Sequence, residues 1–114
     1  MPLLALHTSV PVPADGREEL LKILSKITAE TIGKPETYVM VTLREGAVML
    51  GGEEINGAFV DVRSIGGLGP DVNARISEQV CLLLLDKLQI PQERVYLNFS
   101  EVAHTDWGHD GRTF

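Results

Sequence analysis

Proline at position 2, directly after the first methionine, is the residue with the clearest chemical potential in this chain. A small residue at this position normally permits removal of the initiator methionine, which would leave a secondary amine at the start of the chain. An α-amino group titrates at about pH 8, and apolar surroundings or a nearby cation disfavour its charged form. Leu3 and Leu4 continue into a predicted strand, so the amine would lie on a rigid element and could act as a base at neutral pH.

The other reactive residue types form no pattern that holds a metal or a cofactor. Cys81 is the only cysteine, and its apolar neighbours favour an inert, buried thiol. The histidines His7, His104 and His109 lack the spacing of a zinc motif, so we predict no metal site. The glycines of residues 66–69 lack the spacing of a phosphate-binding loop and favour a strand-to-helix turn. We expect no cofactor.

Length and charge limit the classes of protein and partner. A chain of 114 residues fits a single domain, 1–114, and 16 acidic against 10 basic residues give a net charge of −6. This charge repels phosphate backbones and anionic lipids, so we expect neither nucleic acid nor membrane partners. The lone cysteine and the absence of a secretory signal pattern favour a cytoplasmic location, and release without a signal peptide stays open.

Hydrophobic periodicity predicts an α+β fold with two helices. Asp15 and Glu18 resemble a capping box at the first helix, which Gly33 and Pro35 would end, and Pro70 suits the first turn of the second helix. The predicted helices are 15–32 and 70–88; the predicted strands are 3–8, 37–44, 58–64 and 94–100, with a short extended piece at 47–50.

The two halves of the chain repeat each other. A shift of 56 positions places Pro35 on Pro91 and Asp15 on Asp71, and apolar positions of both helices and strands coincide. The segments 2–45 and 58–101 are therefore predicted to be duplicated βαβ units. Right-handed crossovers would give a four-stranded mixed sheet with both helices on one face, plus short strands.

Two helices would leave the other face of this sheet uncovered. Alternation along the last strand turns Tyr96 and Asn98 toward that face, whereas Val95, Leu97 and Phe99 face the helices. Because strand 1 is apolar at successive positions, both of its faces need cover. We therefore predict that neighbouring subunits meet the uncovered face.

A set of short motifs along nearly the whole chain resembles the macrophage migration inhibitory factor family of the tautomerase superfamily. The motifs are Met1-Pro2 before an apolar strand, Gly33-Lys34-Pro35, Ser64-Ile65-Gly66, Arg94-Val95-Tyr96-Leu97-Asn98 and Thr113-Phe114. The resemblance implies a homotrimer with active sites between adjacent subunits. It also implies interconversion of keto and enol forms of small aromatic α-keto acids such as phenylpyruvate.

The resemblance assigns roles residue by residue. Pro2 matches the catalytic base, Lys34 the residue that binds the substrate carboxylate, and Ile65 a pocket-lining residue. Tyr96 and Asn98 match residues contributed by the adjacent subunit, and Tyr38 would lie at the pocket mouth. Leu3, Trp107 and Phe114 are candidates for the pocket wall. Each also has a purely structural interpretation, such as a cation after a helix end for Lys34 or a packed interface residue for Tyr96.

The chain departs from the family pattern in two places. Residues 57–60 read Gly-Ala-Phe-Val where the mammalian factor has a CxxC motif, so we expect no thiol oxidoreductase activity. Trp107 replaces a small apolar residue and His109 replaces a tryptophan, which rearranges the aromatic wall. The alternatives are a cytokine-like receptor-binding module with a vestigial pocket, for which a receptor contact stays open, and another reaction of the superfamily, such as dehalogenation or decarboxylation.

Overall fold

A computed structural model describes all residues, 1–114, and contains two helices and eight strands. The helices are α1 (Ala14–Ile32) and α2 (Pro70–Leu88). The long strands are β1 (Pro2–Thr8), β2 (Met40–Glu45), β5 (Ala58–Ser64) and β6 (Val95–Glu101), and the short ones are β3 (Val48–Leu50), β4 (Glu53–Ile55), β7 (Gly108–His109) and β8 (Arg112–Thr113). Neither helix combines the length and apolar character that crossing a membrane requires.

The four long strands form one mixed sheet in the order β2-β1-β5-β6. β1 is parallel to β2 and antiparallel to β5, and β5 is parallel to β6. Each parallel pair is joined through a helix, so the chain contains two βαβ units related by the predicted repeat. The predicted α+β architecture is confirmed.

Both helices pack on the same face of the sheet and form one core. Leu24 of α1 and Ile76, Val80 and Leu84 of α2 are completely buried. Opposite them lie the equally buried strand residues Leu4, Val60 and Val62. Burying each such side chain contributes about 1.5 to 3 kcal/mol. This core fixes β1 at the centre of the sheet and, with it, the start of the chain.

The predicted capping box at α1 is wrong. The helix begins at Ala14 behind Pro13, and no side chain caps its first turn. Pro13 is extended and provides the carbonyl that accepts the Gly16 N–H at 3.0 Å. Asp15 therefore lies inside the first turn, where its charge favours the helix dipole but cannot cap. The other end is as predicted, because Gly33 has a φ of 81° and stops the helix.

Two strand boundaries differ from the prediction. Residues Glu36–Tyr38 form a 3-10 turn, and β2 starts only at Met40. Pro35 causes this, because its carbonyl accepts the Tyr38 N–H at 3.0 Å and closes the turn. The repeat has the same turn at Gln92–Arg94 after Pro91. The short extended piece predicted at 47–50 is confirmed as β3. Its pairing with β4 and the hairpin β7–β8 were not predicted, since each of these strands has three residues or fewer.

The face of the sheet opposite the helices is uncovered, as predicted. Met40, Phe59 and Tyr96 lie on this face and are 63%, 44% and 62% exposed. On the face that the helices cover, Val95 is buried and Leu97 and Phe99 pack against the core. The alternation along β6 is therefore confirmed.

Candidate active site

The start of the chain is held by the sheet and opens into a cavity. Pro2 is completely buried and pairs with Ser64 across the antiparallel β1–β5 ladder. Met1 precedes it at the edge of a cavity of about 430 Å³. This volume lies in the range of small-molecule sites. The cavity is lined by Met1, Lys34, Pro35, Tyr38, Ile65, His104 and Phe114.

Lys34 reaches this cavity because α1 ends two residues earlier. Gly33 adopts the left-handed conformation, and the N–H groups of Gly33 and Lys34 both donate to the carbonyl of Ala29, at 2.9 and 3.0 Å. The chain therefore turns sharply, and Pro35 continues it away from the helix. The position of the Lys34 ammonium group is therefore set by the end of α1, which Gly33 determines.

The loop after β5 forms the opposite wall and contributes Ile65. The Ser64 hydroxyl donates to the carbonyl of Gly66 at 2.6 Å, and Gly66 and Gly67 have φ values of 73° and 84°. A Cβ on Gly67 would lie 2.6 Å from Cγ2 of Ile32. A glycine here therefore lets the loop pack closely against the end of α1, near the stem of Lys34.

The electrostatic surroundings of the chain start favour a neutral amine. The pKa of the Met1 amine is lowered from its ordinary value, mainly by burial and secondly by the positive charge of Lys34. Burial and a nearby positive charge both disfavour the protonated, charged form of an amine. No carboxylate side chain is among the residues that line the cavity.

The C-terminal segment supplies the aromatic side of the cavity. His104 Nδ1 lies 2.9 Å from the main-chain oxygen of Phe114, and the ring of Phe114 stacks on that of His109 with centroids 5.6 Å apart. The N–H of Phe114 also donates to the carbonyl of Trp107 at 3.1 Å. Sequence reasoning placed Phe114 here but missed His104. The only signal was a histidine without a partner at ligand spacing, which carries little information.

Leu3 and Trp107 lie together, but not in this cavity. They line a neighbouring cavity of about 220 Å³ with Arg63, Val102, Asp106 and Gly108. Leu3 points to the uncovered face because it alternates with the buried Pro2 and Leu4. Within one chain, these two candidate wall residues are therefore separate from Lys34, Ile65 and Phe114.

Tyr96 and Asn98 also lie outside the cavity of their own chain. Both are exposed on β6, at the far edge of the sheet, where they pair in register with Phe59 and Asp61. Asp61 holds Arg63 in a salt bridge of 2.8 Å on the same face. If the two candidate residues contact a substrate, they reach the cavity of another copy.

A larger cavity lies at the opposite end of β1 and is less suited to an anionic substrate. Its volume is about 820 Å³, and Glu45, Glu53 and Glu54 line it together with a single arginine, Arg94. Cys81 lines neither cavity and is half-buried, and this burial raises the pKa of its thiol. This favours the inert interpretation of Cys81.

Comparison with known proteins identifies the same fold and sequence pattern throughout. The sequence model of the macrophage migration inhibitory factor family matches residues 1–114. Homologs named for this factor from Brugia malayi and Trichuris trichiura are 35% and 36% identical, covering the whole of this chain and 99% and 100% of theirs.

Solved structures agree. The macrophage migration inhibitory factor-like protein of Entamoeba histolytica has a TM-score of 0.94 and 32% identity, over 99% of this chain and 98% of its own. The homologue from Prochlorococcus marinus has a TM-score of 0.91 and 39% identity, over 98% of both chains. The chain belongs to the macrophage migration inhibitory factor family.

Proposed function

We propose that this protein is a keto–enol tautomerase of phenylpyruvate-type α-keto acids, with Pro2 of the processed chain as the general base. The observation that carries the proposal is the cavity at the chain start, where a lysine and apolar walls lie beside Met1, the residue that precedes the buried Pro2. Removal of Met1 would uncover the Pro2 nitrogen at the place where Met1 now lines the cavity. Proton transfer in this reaction needs little more than a base with a suitable pKa and a bound carboxylate.

In the proposed mechanism, Lys34 binds the substrate carboxylate. The neutral Pro2 nitrogen takes a proton from the carbon next to the keto group, and the keto oxygen gains a proton from water as the enol forms. The protonated amine then releases its proton to water, which restores the neutral base. In the reverse direction, the protonated amine gives its proton to carbon and the enol hydroxyl loses its proton to water. The proposal of a neutral Pro2 amine is supported by the preceding Met1 amine, whose pKa is lowered by burial and by the charge of Lys34.

The substrate ring would lie against Ile65 and Phe114, with Tyr38 at the cavity mouth. The proposal includes a homotrimer, in which Tyr96 and Asn98 of an adjacent subunit complete the site. It is supported by the exposed positions of these residues on the uncovered face, by the apolar Phe59 beside Tyr96 and by the exposed Met40 on the same face at the opposite edge of the sheet. Such a face is normally covered by another protein surface.

The base is tested by inserting one alanine between Met1 and Pro2. The insertion converts the Pro2 nitrogen into an amide, which cannot accept a proton at neutral pH, and we expect it to nearly abolish tautomerisation of phenylpyruvate. Pro2→Gly retains an amine and should keep measurable activity. Unchanged turnover after the insertion contradicts Pro2 as the base, whereas the absence of turnover in the unaltered protein would favour the receptor-binding alternative.

A covalent probe separates the amine from the thiol. A protein of the same fold, 19% identical to this chain, was crystallised after inactivation by 2-oxo-3-pentynoate; at that identity the likeness shows the fold alone. We expect this electrophilic α-keto acid to label Pro2 and to label the control Cys81→Ser equally, since burial keeps that thiol protonated. Peptide mass mapping locates the label, and labelling confined to Cys81 contradicts the proposal.

A further inference from the structure

His104 gives the cavity a second group that can hold an anion. It lines the same cavity as Lys34, and these two are the basic side chains among the lining residues. No acidic side chain opposes them there, although the chain as a whole carries a net charge of −6. The cavity therefore brings two basic side chains together, with no acidic side chain among the residues that line it.

The contact of His104 with Phe114 fixes how the imidazole can act. A main-chain oxygen can only accept a hydrogen bond, so Nδ1 carries the hydrogen that it donates across 2.9 Å. The ring is held by this bond, and Nε2 remains for another partner, because no other hydrogen bond of His104 is present. An anion held at Nε2 would bind the imidazolium, in which both nitrogens donate.

We propose that His104 determines specificity by binding a second anionic group of the substrate, so that the cavity favours α-keto acids with a further carboxylate at the end remote from the keto acid. Lys34 would take the first carboxylate and His104 the second. The inference rests on the proposed function for its substrate class. The volume of about 430 Å³ accommodates an aromatic dicarboxylate between the two walls.

The test compares two ligands that bind but cannot tautomerise, 3-phenylpropanoate and 3-(4-carboxyphenyl)propanoate. Calorimetry with the full-length processed protein measures Kd for both. We expect the dicarboxylate to bind more tightly, and His104→Asn to weaken the dicarboxylate about five- to tenfold and the monocarboxylate less than twofold. Asparagine keeps a donor near the Nδ1 position, so the bond to Phe114 survives and only the Nε2 contact is lost.

His109→Asn is the matched control. His109 stacks on Phe114 but does not line the cavity, so a variant that only loosens the C-terminal segment affects both ligands alike. Equal weakening of both ligands by His104→Asn, or an unchanged preference for the dicarboxylate, overturns the inference. Neither ligand needs a base, so the binding preference would persist if Pro2 proved inactive, and the two proposals fail separately.

Discussion

Replacement of Gly67 by alanine is expected to destabilise the protein and to disturb Lys34, whereas the same change at the adjacent Gly66 is expected to affect stability less. Both glycines have a positive φ, 73° at Gly66 and 84° at Gly67, so both alanine variants bear a backbone cost of about 1 to 2 kcal/mol. Their surroundings differ. A Cβ at Gly66 meets nothing within 4 Å, but at Gly67 it would lie 2.6 Å from Ile32 Cγ2.

The additional cost at Gly67 comes from displacing a packed side chain. Ile32 is only 8% exposed, and its carbonyl would lie 3.3 Å from the new Cβ. Overpacking of this kind costs about 1 to 3 kcal/mol. We therefore expect Gly67→Ala to lower the free energy of unfolding by about 2 to 5 kcal/mol, and Gly66→Ala by about 1 to 2 kcal/mol.

Urea unfolding at one fixed protomer concentration measures this difference, because association makes stability depend on concentration. The end of α1 must shift in Gly67→Ala, and Lys34 lies two residues beyond Ile32, so KM for phenylpyruvate should rise several-fold in this variant alone. Equal losses of stability in the two variants would refute the packing of the loop against α1.

Three further predictions concern charge, the thiol and assembly. Activity requires the neutral Pro2 amine, so kcat/KM should rise with pH through the pKa of that amine. The charge of Lys34 lowers the pKa of the Met1 amine, so Lys34→Gln should move the rise to higher pH if the same charge acts on Pro2. An unmoved profile would contradict the role of the Lys34 charge. Native Cys81, whose pKa is raised by burial, should react with iodoacetamide at pH 8 more slowly than in the urea-unfolded chain, and equal rates would contradict its burial. Light scattering on dilution should show no folded, dissociated monomer, since the face bearing Met40, Phe59 and Tyr96 needs cover; observing one contradicts the trimer.

The architecture was predictable because the pattern of one βαβ unit is repeated in the second half of the sequence. The repeat placed Pro35 on Pro91 and predicted two βαβ units. Gly33 predicted the end of α1, directly before Lys34. The failures were local. Pro13 displaced the expected cap at Asp15, and Pro35 closed a 3-10 turn where a strand was expected, since a proline turn overrides short-range strand propensity.

The candidate site was only partly predictable. Lys34, Tyr38, Ile65 and Phe114 come together in one cavity, although they are up to 80 positions apart in the chain. The sequence contained no indication that the last segment folds back to place His104 beside Phe114, because that geometry depends on a hairpin of two-residue strands. It also could not distinguish the cavity of Leu3 and Trp107 from that of Lys34.

The pKa of the amino-terminal amine in the processed protein tests the central claim most directly. It can be measured by pH-dependent alkylation of the native protein, with mass mapping to the first peptide. We expect a chain that begins at Pro2, with an amine pKa below that of an exposed α-amino group. Retained Met1, or an amine pKa at or above the exposed value of about 8, would contradict the assignment of Pro2 as the base.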